Sequence, residues 1–76
     1  MVINIEVRLF ATFREGREKK YFLRLLEGTS ILDILKMLNI DEKEVSIMLL
    51  NGMDGESDRE LSDGDVLSLF PPVGGG

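Results

Sequence analysis

The stretch Val66-Leu67-Ser68-Leu69-Phe70-Pro71-Pro72-Val73-Gly74-Gly75-Gly76 runs from an alternating apolar segment through two prolines to three glycines. The alternation over residues 66–70 predicts a β-strand. Proline lacks an N–H and fixes φ, so Pro71 and Pro72 end strand pairing and stiffen the chain where it leaves the sheet. Glycine lets a backbone approach another protein closely. The stretch therefore predicts a strand that presents a slender tail with the Gly76 carboxylate at its tip.

The glycines alone leave two interpretations of this tail open. Chain ends are commonly unstructured, so a Gly-rich end is compatible with a flexible appendage or a remnant of cloning. The other interpretation is a segment shaped to enter a partner's channel. The choice depends on whether a compact fold leads directly into the tail.

Upstream of the tail, the hydrophobic pattern predicts three further strands and one helix. Alternation over residues 2–10 and 21–26 predicts two strands joined as a hairpin by a charged connection. Apolar residues spaced for one helix face predict a helix over residues 31–38, with Ser30 as N-cap and Asp33 at capping-box spacing. Residues 47–50 predict a short strand that ends at a tight Asn51-Gly52 turn. The predicted inward residues of the first strand and the helix stripe are Ile3, Ile5, Val7, Leu9, Ile31, Ile34, Leu35 and Leu38.

This order of elements limits the architecture. The only amphipathic helix has to cover the apolar face of the sheet. If the last strand runs parallel beside the first, the helix lies in the crossover between them. We therefore predict an α+β fold of the β-grasp type, with a mixed sheet of about four to five strands and one main helix packed across it. The predicted domain spans residues 1–70, and residues 71–76 form a flexible C-terminal tail.

Composition narrows the possible functions. The chain has 76 residues, no Cys, no His and a formal net charge of −5. Disulfides and zinc–thiolate sites are excluded, and the commonest general base is missing. An acidic domain is a poor candidate for nucleic-acid binding, and no apolar run approaches a membrane span. We expect no nucleic-acid or membrane partner and a cytoplasmic location.

The acidic stretch over residues 54–65 superficially resembles a calcium-binding loop. However, Arg59 occupies the position where such a loop requires glycine, and no Glu stands at its twelfth position. We therefore predict no metal site. A solvated acidic loop is the main interpretation, and contact with a basic surface of a partner is the alternative.

The outward side chains near the tail form a candidate docking surface. If Leu69 points into the core, strand alternation places Phe70 on the opposite face. Leu49 joins Phe70 there if its neighbours in the strand point inward, and Phe10 is predicted on the same face. A contiguous apolar patch beside the tail would suit partner docking, whereas single exposed apolar residues carry no such meaning.

Two segments resemble those of a known family. Leu61-Ser62-Asp63-Gly64-Asp65-Val66, followed by Phe70-Pro71-Pro72-Val73 and a terminal diglycine, resembles the ubiquitin-like sulfur carriers, in particular the small subunit of molybdopterin synthase (MoaD type). Leu9-Phe10-Ala11 with Arg14-Glu15 is similar to the first strand and turn of that family. The resemblance covers essentially the whole chain. Gly74 departs from it, since a small side chain is more familiar before the diglycine.

The resemblance implies a chemistry for Gly76. A ubiquitin-activating-type adenylating enzyme would join its carboxylate to AMP, using ATP, and a sulfur donor protein would then convert it to a thiocarboxylate. The large subunit of molybdopterin synthase would receive that sulfur for molybdenum or tungsten cofactor synthesis. Pro71, Pro72, Val73, Gly74 and Gly75 would occupy the partner's channel, and Phe10, Leu49 and Phe70 would dock. The chain would be a non-catalytic co-substrate that binds no cofactor of its own.

Three other functions are compatible with the sequence. The same activated glycine could form isopeptide bonds with lysines, as in the small archaeal modifiers. The chain could carry sulfur in the thiazole pathway, although the double proline favours the pterin branch. It could also be a non-covalent β-grasp interaction module that uses its sheet face or edge.

Overall fold

The hairpin predicted at the N-terminus is present, in a computed structural model that describes residues 1–72. Strand β1 (Val2–Leu9) pairs antiparallel with β2 (Lys20–Leu26), and a short 3₁₀ turn (Ala11–Arg14) begins their connection. Ile3, Ile5, Val7 and Leu9 are buried on one face of β1. Alternation in the sequence therefore predicted the buried face of β1 residue by residue.

The last strand lies beside the first, as predicted. Strand β5 (Val66–Phe70) runs parallel to β1, with Val7 opposite Leu67 and Leu9 opposite Leu69. Strand β3 (Ile47–Leu50) pairs antiparallel with the other side of β5. A two-residue strand β4 (Met53–Asp54) follows the Asn51-Gly52 turn, and the five-stranded sheet has the order β2-β1-β5-β3-β4. This mixed sheet with one helix in the crossover is the predicted β-grasp fold.

Helix α1 (Ile31–Met37) covers the buried face of the sheet. Ser30 and Asp33 form the predicted capping box: each backbone N–H donates to the other residue's side chain, at 3.0 and 3.3 Å. The helix ends one residue earlier than predicted because Leu38 leaves helical geometry and Asn39 adopts a left-handed φ of 58°. A second 3₁₀ turn (Glu42–Glu44) lies in the connection between α1 and β3.

The core lies between α1 and the sheet. Its fully buried members come from the helix and the two central strands, so the parallel pair is the most protected part of the sheet. They are Val7, Leu9, Ile31, Ile34, Leu35, Leu67 and Leu69. Among residues 1–72, no helix has the length and apolar content needed to cross a membrane.

Candidate functional site

Strand β5 carries the chain from the core to the surface. Leu69 is fully buried, and the next residue, Phe70, is only half-buried because strand alternation turns it to the face opposite α1. The last described backbone contact of the strand is the Ser46 N–H, which donates to the carbonyl of Phe70 at 2.8 Å. Pro71 is buried and Pro72 is exposed. The chain therefore leaves the body of the protein at Pro72.

The predicted tail residues Val73, Gly74, Gly75 and Gly76 lie outside the described residues, and so does the predicted reactive carboxylate. The structure describes the base from which they start. The predicted roles of Pro71 and Pro72 in a partner's channel stay predictions.

Two aromatic rings stack beside the exit. The Phe10 and Phe70 ring centroids lie 4.3 Å apart, and the ring planes are inclined by 9°. Phe10 follows β1 and Phe70 ends β5, so the parallel pairing of these strands brings the two rings together. The stack fixes the rings at the point where the chain leaves the sheet.

Leu49 and Ile47 extend this apolar surface onto β3. Ile47 lies directly opposite Phe70, and Leu49 lies opposite Ser68, one step along the same face. We call Phe10, Ile47, Leu49 and Phe70 the exit patch. Its predicted members share one surface, and Ile47, which is 43% exposed, was not predicted. Strand alternation already places Ile47 on the same face as Leu49, two residues away, and the register between β3 and β5 sets it opposite Phe70.

A cation borders the exit patch. The Arg14 Nε donates to the carbonyl oxygen of Leu9 at 2.7 Å, and its guanidinium carbon lies 5.2 Å from the Phe10 ring centroid. Ala11 makes the bend between Phe10 and Arg14, and its φ of 53° lies in the left-handed region that favours glycine. Arg14 thus adds a cation–π contact and a positive charge at the rim of the patch.

A shallow groove of mixed charge runs beside the proline exit. Two cations, Arg17 and Lys43, and two carboxylates, Glu15 and Glu44, contribute to its walls. Arg17 is not free to move, because its guanidinium donates to the carbonyl oxygens of Leu38 and Asn39, both at 3.2 Å. The remaining residues that line the groove are Thr12, Phe13, Pro71 and Pro72.

The acidic stretch forms structural hydrogen bonds. Asp63 accepts the backbone N–H of Asn4 at 2.7 Å, and Asp65 accepts that of Ser62 at 2.7 Å and the amide of Asn51 at 2.8 Å. Buried Ser57 donates to Glu42. Within residues 1–72, no three acidic side chains converge in a way that could hold a metal ion.

Arg59 organises the same segment, which the sequence alone indicated only as a solvated acidic loop. Its guanidinium donates to the carbonyl oxygens of Met48, Met53 and Glu56, at 3.0, 2.7 and 2.8 Å. Gly55 leaves the space for it, since a Cβ there would lie 2.9 Å from the guanidinium carbon. Arg59 therefore ties the loop to β3 and β4 through the carbonyl oxygens of Met48 and Met53.

One carboxyl of the described residues has a clearly shifted pKa. The backbone N–H of Ser30, and then its hydroxyl, lower the pKa of Asp33, and Lys36 adds a smaller effect in the same direction. Burial acts in the opposite direction and is outweighed. The shift therefore reports the capping box of α1 and not a catalytic site.

Comparison with known proteins supports the predicted family. Residues 7–76 match the sequence model of the ThiS family. Small archaeal modifier protein 3 of Haloferax volcanii is 34% identical to this chain, and the match covers 97% of the chain and 100% of that protein.

Two solved structures extend the comparison. A putative molybdopterin converting factor, subunit 1, from Pyrococcus furiosus superposes with a TM-score of 0.75 and 30% identity, covering 93% of this chain and 99% of that one. A chain in the complex of subunits 1 and 2 of the molybdopterin-converting factor from Helicobacter pylori 26695 gives a TM-score of 0.63 and 28% identity, with 100% of both chains covered. By sequence and by fold, the chain belongs to the ThiS family of ubiquitin-like sulfur carriers and modifiers.

Proposed function

We propose that this chain is a sulfur carrier for molybdopterin synthesis, in which Gly76 is adenylated and converted to a thiocarboxylate. The observation that carries the proposal is the exit geometry: the central strand β5 ends at Phe70 within the exit patch, and the chain leaves the body of the protein at exposed Pro72. Gly76 lies four residues after Pro72, so it can reach at most about 14 Å beyond Pro72. A partner that docks on the exit patch therefore needs its reactive centre within that reach.

The chemistry suits a chain that supplies only the reacting carboxylate. A carboxylate is a poor electrophile, and attack of its oxygen on the α-phosphate of ATP, with loss of pyrophosphate, attaches AMP as a good leaving group. Sulfide delivered by a sulfur donor protein then attacks the acyl carbon of Gly76 and releases AMP, and the resulting thiocarboxylate is a soft nucleophile. The chain has no Cys and no His, so the partners supply the catalytic groups, and ATP binds to the adenylating enzyme.

Two partners follow from this proposal. The first is a ubiquitin-activating-type adenylating enzyme, and the second is the large subunit of molybdopterin synthase. The Helicobacter pylori relative was solved as a complex of subunits 1 and 2, which supports a second-subunit partner for a chain of this fold. The exit patch, with its stacked aromatic rings, is the surface on which both partners would dock.

Protein modification is the second candidate function, because the 34% identical relative from Haloferax volcanii is a small archaeal modifier protein. In that case the adenylated Gly76 forms an isopeptide bond with a lysine of another protein. The activation step is common to both candidates, and they differ in the nucleophile that takes the activated glycine.

Removal of Gly75 and Gly76 tests the shared step. We expect the shortened chain to lose all adenylation by the cognate enzyme, measured as ATP–pyrophosphate exchange, with an unchanged thermal unfolding midpoint. A Phe22→Ala variant keeps the whole tail and changes an exposed residue of β2 outside the exit patch, so it is the control and should still be adenylated. Full activity of the shortened chain would contradict both candidate functions and favour a non-covalent interaction module.

Mass spectrometry of the protein isolated from its native cell separates the two candidates. Replacement of one oxygen of the Gly76 carboxylate by sulfur supports the sulfur carrier. Gly76 remnants on lysines of other proteins, without the thiocarboxylate, support the modifier instead.

A further inference from the structure

Strand β2 leaves one edge of the described sheet open. It is the first strand in the order β2-β1-β5-β3-β4. The Leu9 N–H donates to the Lys19 carbonyl at 2.9 Å, and the Glu27 N–H donates to the Met1 carbonyl at 2.8 Å. Because hydrogen-bonded and non-hydrogen-bonded pairs alternate in an antiparallel ladder, odd-numbered residues of β2 bond to β1. The backbone groups that point away from β1 belong to Lys20, Phe22, Arg24 and Leu26.

This edge is long and regular, and two of its four outward residues are exposed and apolar. The register with β1 is continuous from Lys20 to Leu26, and no proline interrupts it. Phe22 is 75% exposed and Leu26 is 69% exposed, and both lie on the face opposite α1. Strands with such an edge are templates for pairing with another strand.

We propose that β2 pairs antiparallel with β2 of a second copy, about a two-fold axis at Leu23, to form one continuous sheet. In this register Phe22 lies opposite Arg24 of the second copy, and Lys20 lies opposite Leu26 of the second copy. Each Phe22–Arg24 pair exchanges two hydrogen bonds. The Leu26 N–H donates to Lys20 of the second copy, while the Leu26 carbonyl already accepts from Thr29, at 2.7 Å from the hydroxyl.

The charges on the edge select a second copy in this register. Lys20 and Arg24 would disfavour pairing of this edge with a generic apolar strand. Here each Arg24 meets a Phe22 ring, which is a favourable cation–π pair, and the Lys20 Nζ already lies 5.8 Å from the Phe22 ring centroid of its own chain. Registers shifted by two residues place Lys20 opposite Arg24 or Arg24 opposite itself, and like charges directly opposite destabilise.

The net charge of the chain also favours this edge. Residues 1–40 hold seven Lys/Arg and five Asp/Glu, whereas residues 41–76 hold two Lys/Arg and nine Asp/Glu. Pairing through β2 places the positive halves together and keeps the acidic halves apart, which limits the repulsion between two chains of net charge −5.

The proposed dimer leaves the exit patch accessible. Strand β1 separates β2 from β5, so Phe70 lies about 10 Å from the paired edge at the usual strand spacing. The dimer is therefore independent of the Gly76 chemistry. Failure of either proposal leaves the other standing, because one is read from adenylation and the other from association.

Disulfide trapping tests the register in a chain that has no cysteine of its own. Leu23→Cys places two thiols across the two-fold axis, at a non-hydrogen-bonded pair with Cα atoms about 4.5 Å apart, which suits a disulfide. Leu25→Cys is the matched control: it lies on the same half-buried face, but its two copies would be about 14 Å apart along the strands. Under mild oxidation, we expect Leu23→Cys to form the disulfide-linked dimer at least tenfold faster than Leu25→Cys. The rate for Leu23→Cys should rise with protein concentration. Equal rates for the two variants would overturn the proposal.

Sedimentation equilibrium tests the association without a new cross-link. We expect the native chain to show a reversible monomer–dimer equilibrium as its concentration approaches the millimolar range. Arg24→Pro removes an outward N–H and leaves the ladder with β1 intact, so its dimer dissociation constant should rise at least tenfold. Arg24→Ala keeps that N–H and should weaken the dimer less. A purely monomeric native chain, or an unchanged Arg24→Pro dimer, would overturn the proposal, and the disulfide comparison decides if Arg24→Pro does not fold.

Discussion

The two faces of β5 differ sharply although they share one backbone. Leu67 and Leu69 have no exposed surface and pack under α1. Val66, Ser68 and Phe70 point to the other face and stay half-buried, with Phe70 stacked on Phe10. No second layer of the described chain covers this outer face.

The difference shows how a small domain separates stability from presentation. Burial under the helix stabilises the fold, and a chain of this size has few other sources of stability. The outer face holds an apolar surface in a fixed position at the tail exit without being needed for the core. Substitutions one residue apart should therefore have different consequences, which the following predictions test.

The largest effect is expected on the inner face. Leu69→Ala leaves a cavity beneath α1 and should lower the free energy of unfolding by about 2–5 kcal/mol. Urea denaturation followed by circular dichroism measures it. Leu69→Met conserves volume and should cost less than about 1.5 kcal/mol. If Leu69→Ala were no more destabilising than Leu69→Met, the inner face would not have the role that its burial indicates.

Phe70, the next residue, should matter less for stability and more for adenylation than Leu69. Phe70→Ala removes a half-buried ring from the exit patch, so we expect a smaller loss of stability than for Leu69→Ala. Under the proposed function, the KM for adenylation by the cognate enzyme should rise at least about tenfold, as for an aromatic residue at the centre of an interface.

Phe22→Ala is the control for this prediction. It removes an exposed ring from the same sheet face, but from β2 and away from the exit patch. Its adenylation kinetics should match those of the native chain. An equal rise in KM for both variants would show that the whole face, and not the exit patch, binds the enzyme.

The Phe10–Phe70 stack should contribute a measurable coupling energy. A double-mutant cycle of Phe10→Ala and Phe70→Ala should give about 0.5–1.5 kcal/mol in unfolding free energy, the range of aromatic pairs. The pair Phe22 and Phe70 shares no contact and should be additive within about 0.5 kcal/mol. Additivity of the stacked pair would mean that the rings lie side by side without stabilising the exit.

Most of the fold follows from local patterns in the sequence. Alternation in β1 predicts which residues are buried, because side chains of a strand change face at every step. Ser30 and Asp33 predict the start of the helix through two specific hydrogen bonds, and Asn51-Gly52 predicts the β3–β4 turn. These features depend on residues that are close together in the chain, so a single sequence is enough to predict them.

The site was less predictable because it depends on contacts between distant segments. Alternation with Leu49 gives the face of Ile47, but its position opposite Phe70 depends on the register of β3 on β5, which local patterns do not determine. Arg14 and Arg59 bond to backbone carbonyls, and any residue offers a carbonyl, so no pattern of side chains indicates such a contact. The register between distant strands and the choice of backbone acceptors are therefore what the sequence does not provide for predicting the site.

The smallest effect is expected at the helix that covers the inner face. Hydrogen bonds from Ser30 lower the pKa of Asp33, so the folded protein favours the charged carboxylate. The contribution of Asp33 to stability is therefore fully present above the carboxyl's ordinary pKa, and it is lost as pH falls through the lowered pKa of the folded state. Asp33→Asn removes the charge and keeps the size of the side chain.

The difference in thermal midpoint between the native chain and Asp33→Asn measures this contribution across the acid range. We expect the native chain to be more stable at neutral pH and the difference to shrink toward zero as the pH falls through the lowered pKa of Asp33. Other carboxyls titrate in both proteins and cancel in the difference. A difference that is independent of pH would mean that hydrogen-bond geometry alone, without the charge, holds the start of α1 over the inner face of β5.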